Sequence, residues 1–171
     1  MRTITFSLKV LILLMFIQGC SGNGFQLRKS EKLDQQFSKT TLEGETLAPR
    51  FETIITDAIS EAGGEVIETA AQAQSAIVFH KFEEGRRIIA YTSERTAREY
   101  LVFLKIEYSI VPKQSPLRNS QLASKRRIHI DRSYLYDSDF ALGKSEEEKR
   151  VKKTLYEEAA RLILLRLKYS K

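Results

Sequence analysis

The sequence predicts an α+β fold: a two-layer sandwich in which about four mostly antiparallel strands carry two amphipathic helices packed on one face. Three observations predict it. Phe51, Ile54, Ile55, Ala58, Ile59 and Ala62 recur at spacings of three and four, the stripe of a helix that buries one side. Val151, Leu155, Ala159, Leu162 and Ile163 form a second such stripe near the C-terminus. Between them, Tyr100, Val102, Leu104, Ile106, Tyr108 and Ile110 fall on one face of an extended segment, and Lys105, Glu107 and Ser109 mark its other face as solvated.

The elements follow in chain order. Residues 1–19 carry Arg2 and Lys9, an apolar run from Val10 to Ile17, and no acidic residue, the composition of an export signal too short to span a bilayer comfortably. Ile17-Gln18-Gly19-Cys20 resembles the bacterial lipobox, in which a small residue at minus one gives access to a thiol that accepts diacylglycerol. Cleavage before Cys20, with N-acyl and S-diacylglycerol chains on it, is therefore expected; several acyl chains hold a protein at a bilayer where one holds it only reversibly. Cys20 is the only cysteine, so neither an internal disulfide nor a thiolate metal cluster can form. Residues 20–24 read as the lipidated cysteine and a glycine-containing tether, and residues 25–171 as a single domain, a length that suits one core.

Phe25 to Arg28 alternates as a short docked strand would, and Phe37 to Leu42 is expected to be the first strand proper. Pro49 suits the first turn of the following helix and Gly63-Gly64 its left-handed stop. A short strand is expected over Glu65 to Glu68 and another over Ala76 to Phe82. Glu83-Glu84-Gly85-Arg86 reads as a turn or bulge before extended structure resumes from Arg87 to Tyr91. The long strand runs from Arg98 to Val111 and ends at Pro112. After a loop to Asn119, the segment Leu122 to Tyr134 alternates as its antiparallel return. Ser145 with Glu148 forms a capping box for the last helix, with Glu146 and Glu147 at the positive end of the helix dipole and Arg166 and Lys168 at the negative end.

Signal removal takes away two of the 28 basic residues and none of the 22 acidic ones. The small positive excess left favours anionic partners without choosing among them; nucleic acid is disfavoured by the exported compartment. His80 and His129 stand in separate strands with no ligand neighbours, so no metal site is expected. Asp137 and Asp139 read as turn residues, since no nucleophile or oxyanion motif accompanies them. The basic run Lys125-Arg126-Arg127 lies in a strand, so alternation sends Arg126 to one face and its neighbours to the other.

Several segments together resemble the LptE family of outer-membrane lipopolysaccharide-assembly lipoproteins. They are Cys20 followed by Gly24-Phe25-Gln26-Leu27-Arg28, Thr96-Ala97-Arg98-Glu99-Tyr100 leading into the long strand, Tyr134 to Asp137, and Ala141-Leu142-Gly143-Lys144 before the acidic helix start. The resemblance implies a non-enzymatic domain without cofactor, lipid-anchored on the periplasmic side of the outer membrane. It would plug and help assemble LptD, a large outer-membrane β-barrel, and assist lipopolysaccharide transport to the cell surface. A polar exterior suits the polar lumen of such a barrel. The family's basic lipopolysaccharide contacts map onto Lys144 by motif, and onto the neighbourhood of Ser93, where Arg95 and Arg98 stand. Sorting to the outer membrane rests on Ser21 following the cysteine. Two other readings stay open: an auxiliary lipoprotein of another envelope transporter or a periplasmic cell-wall synthase activator, and, more distantly, an envelope hydrolase using Asp137 or Asp139.

Overall fold

A computed structural model describes residues 33–112, 124–136 and 141–169, with the side chains of 141–145 left aside. The export segment, Cys20, the tether, Phe25 to Arg28, most of the loop after Pro112, and Asp137 and Asp139 lie outside the described residues. The domain is α+β, as the sequence predicts, with a five-stranded mixed sheet. After a 3-10 turn at Gln35–Phe37 come β1 (Lys39–Gly44), α1 (Pro49–Glu61), β2 (Glu65–Val66), β3 (Ser75–Tyr91), β4 (Ala97–Pro112), β5 (Arg126–Leu135) and α2 (Ala141–Lys168). The strand order is β2-β1-β3-β4-β5. β1 pairs parallel with both β2 and β3, whereas β3, β4 and β5 are antiparallel.

α1 begins where the sequence puts it, with proline in the first turn. It stops at Gly63, whose φ of 82° lies in the left-handed region, and the Gly64 amide returns to the Ile59 carbonyl at 2.9 Å, closing the carbonyls that the helix end leaves open. Phe51, Ile55 and Ile59 are its buried stripe. The Phe51 ring meets Phe79 and, at ring-centroid distances of 5.2 and 5.6 Å, Phe82 and Tyr156. Val102, Leu104, Ile106 and Tyr108 of β4 are fully buried, and Leu155, Ala159, Ile163 and Leu167 close the core from α2. The helix-facing side of β4 is the one that period-two alternation selects.

Four expectations change. Phe37, expected in the first strand, sits in the preceding turn with its ring in the core, and β1 starts at Lys39. The strand expected over Glu65 to Glu68 shortens to two residues. Glu83 to Arg86 is not a turn: β3 runs unbroken through it, pairing with Lys105, Leu104, Phe103 and Val102. The glycine that suggests a turn has another use, since a Cβ on Gly85 would lie 2.8 Å from the Phe103 ring, which covers it from the neighbouring strand. α2 starts at Ala141, one turn before Ser145, so Ser145 is inside the helix and is not its cap. The Glu148 carboxylate bonds Arg86 and Tyr134 across the layers.

Candidate functional site

β3 and β4 extend well beyond the part of the sheet that α1 covers. Seventeen residues at roughly 3.3 Å each span more than 50 Å. Leu33, whose amide donates to Ala62 at the end of α1, marks one end. The β3–β4 hairpin tip marks the other, together with the last residues of β5 and the first turns of α2.

At the tip, Thr92 accepts an amide from Arg95 and donates its own to Thr96, and the two threonine hydroxyls bond at 2.7 Å. The turn forces Arg95 to φ 60°, the only non-glycine residue with positive φ among those described, a conformation that crowds the Cβ of an L residue. Arg98 follows on β4, and its carbonyl accepts the Tyr136 amide at 2.7 Å, prolonging the β4–β5 ladder. Arg87, Arg95 and Arg98 are exposed, and among the described residues none has a carboxylate within ion-pair distance. Glu94 and Glu99 are the acidic residues of this tip, and Glu94 takes the Ser93 hydroxyl at 2.8 Å. Ile88, Ile89, Tyr91 and Leu135 are the exposed large apolar side chains of the same end, Tyr91 at 62% and Leu135 at 73%. By alternation Arg87 and Leu135 fall on the face away from the helices and Arg98 on the helix side, so basic and uncovered apolar side chains occur on both faces of this end.

A polar clasp fixes this end against α2. Arg86 reaches Glu148 at 2.5 Å, Tyr134 donates to the same carboxylate at 3.3 Å, and Lys152 lies 3.4 Å from Glu148 and 3.7 Å from Glu84. The Tyr156 hydroxyl donates to Glu84. The Arg86 guanidinium also sits 4.9 Å from the centre of the Tyr100 ring, which stacks on Tyr134 and meets Tyr136 edge-on. Burial penalises the charged form of Glu148, but Arg86 and Lys152 outweigh it and hold the carboxyl below its ordinary range. Burial, reinforced by the bond to Glu84, pushes the Tyr156 hydroxyl up, so it stays a donor.

Of the sequence-predicted residues, Arg95 and Arg98 are brought together at the tip. Lys144 stands on the same end of the fold, one helical turn before Glu148. The clasp escapes sequence reasoning because Glu148 reads as a capping residue and Arg86 as part of a turn. The alternation of Arg86 with Glu84 and Ile88 is the signal that a continuous strand could have supplied. His80 bonds the Ser109 hydroxyl at 2.9 Å. Among the described residues no group of His, Cys, Asp and Glu is arranged to hold a metal ion, and no helix is long and apolar enough to cross a membrane. As alternation requires, Arg126 and Arg127 part company: Arg126 donates to the Arg166 carbonyl and Arg127 pairs with Glu107 on the opposite face.

A two-layer α+β domain of this kind defines a fold class shared with several bacterial lipoproteins. Similar solved structures include an uncharacterized lipoprotein B from Nitrosomonas europaea, at 20% identity and TM-score 0.68, covering 85% of this chain and 90% of that one. A minor lipoprotein from Acinetobacter baumannii matches at 16% identity and TM-score 0.62, covering 78% and 92%. The rare lipoprotein B from Shewanella oneidensis matches at 19% and 0.59, covering 74% and 91%. At these identities the likeness is one of fold. No curated protein matches. The LptE family, described as lipopolysaccharide-assembly, matches over residues 30–167, and the chain belongs to that family. It is a lipopolysaccharide-assembly protein of that family.

Proposed function

We propose that this domain plugs the lumen of an LptD-type outer-membrane β-barrel, helps that barrel assemble, and contacts lipopolaccharide in transit through Arg95, Arg98 and Lys144. Acyl chains on Cys20 would tether it to the periplasmic side of the outer membrane. The observation that supports the lipid contact is that Arg87, Arg95 and Arg98, without carboxylate partners among the described residues, share the hairpin end of the sheet with exposed Ile89, Tyr91 and Leu135. Lipid A offers phosphates and acyl chains to match. A charge-assisted bond from a guanidinium or ammonium to a poorly hydrated phosphate contributes about 1.5–3 kcal/mol. The role is one of binding and scaffolding, with no catalytic step.

Two experiments test it. Arg98→Asp and Lys144→Asp should each weaken lipopolysaccharide binding to the purified protein about tenfold or more, with circular dichroism unchanged; unchanged affinity in both removes the lipid-contact role from these residues. The chain should also co-purify from membranes with a β-barrel protein through detergent and high salt. Recovery instead with an inner-membrane transporter or a cell-wall synthase would favour the auxiliary-lipoprotein reading.

A further inference from the structure

We propose that β5 is a self-complementary edge through which two copies of this chain pair, antiparallel, into one continuous sheet when no other strand covers it. This does not depend on the lipid-binding or plug reading.

Among the described residues the strand order leaves β5 with β4 on one side and no strand on the other, whereas the opposite edge, β2, is only two residues long. Backbone polarity along β5 follows from two bonds. The Tyr136 amide donates inward to Arg98 of β4, so the even-numbered residues exchange bonds with β4. The odd-numbered residues therefore turn their amides and carbonyls outward, and the carbonyl of Arg127 indeed accepts a bond from the Arg166 side chain at 3.2 Å. Beyond Arg127, His129, Asp131, Ser133 and Leu135 present the open side of the ladder.

Edges of this length are ordinarily blocked by proline, by lysine or by a bulge. β5 contains neither residue, and its register with β4 runs from Tyr134 to Arg126 without a shift, unlike that of β3 with β4. The side chains then select the occupant. A twofold axis at Ile130 puts His129 of each copy opposite Asp131 of the other, on the face away from the helices, where the two side chains already lie 4.0 Å apart within one chain. The same axis sets half-buried Ile130 against its own copy on the helix side. Moving the axis by one residue, onto Asp131, keeps outward amides facing outward carbonyls but sets two aspartates opposite each other, so charge selects between the two registers that hydrogen bonding allows. Arg161, exposed and without a carboxylate partner among the described residues, lines the groove between α2 and β5 with Glu157. The twofold runs two such grooves antiparallel to each other.

The test uses the full chain in detergent, with its mass measured by light scattering over a range of concentrations. The parent should dimerise. Ser133→Pro removes the outward amide that faces Arg127 of the other copy and leaves the β4 ladder intact, so it should weaken the dimer without changing the circular dichroism. His129→Asp should weaken the dimer at least tenfold, and adding Asp131→His to it should restore pairing by exchanging the two partners. If Ser133→Pro fails to fold, the charge exchange alone decides. A parent that stays monomeric at the highest concentration reached, a dimer that Ser133→Pro leaves equally tight with native circular dichroism, or a charge exchange that does not rescue overturns the proposal.

Discussion

The two ends of the sheet are built from different interactions. At the end where Leu33 enters, β3 is buried almost without interruption from Ser75 to Phe79, and α1 lays Phe51, Ile55 and Ile59 over it. The hidden polar groups there are satisfied locally, as where Thr40 and Ser75 hydroxyls meet at 2.9 Å. At the hairpin end, β3 is exposed from Arg86 to Ile89, and the Arg86, Glu148 and Tyr134 clasp joins α2 to the sheet beside a smaller apolar contact. The difference separates two tasks. Apolar burial is non-directional and supplies the stability of the fold, whereas a partly exposed charge clasp contributes little net stability and instead fixes orientation. The end that presents arginines is therefore positioned without being the part on which folding depends.

The largest expected effect lies at the buried end. Phe51→Ala removes a fully buried ring with three aromatic neighbours and should cost about 3–5 kcal/mol in urea unfolding; a loss under 1 kcal/mol would erase the contrast between the two ends. The clasp comes next. Glu148 is held below its ordinary value near 4.5, so its contribution is complete above that pH and is lost as pH falls through the lower folded value. Glu148→Gln should lower stability by about 1 kcal/mol at neutral pH and flatten the acid limb below pH 4.5 in a thermal-melt series, while an unaltered acid limb would show that the clasp does not act through this carboxylate. The smallest effect has the opposite sign. Arg95→Gly relieves a left-handed residue and should raise stability by up to about 1 kcal/mol while weakening lipopolysaccharide binding; a loss of stability would show that the turn relies on the arginine.

Much of this organisation is written in local pattern. The α1 stripe, its proline start and glycine stop, the alternation of β4 and the split of Arg126 from Arg127 each follow from residue spacing and backbone preference, which act within a few residues. Family membership was legible in short motifs kept in order, and so were Arg95, Arg98 and Lys144 as candidates. Tertiary structure decided the rest. Gly85 is a turn former by local preference and a strand residue because Phe103 covers it from the neighbouring strand. Glu148 is a capping residue by spacing and a clasp residue because α2 begins a turn early and lays it beside Arg86. The parallel β1 and β2 and the open edge of β5 depend on pairings between residues far apart in the chain. Spacing fixes which face a side chain takes; only packing fixes what that face meets.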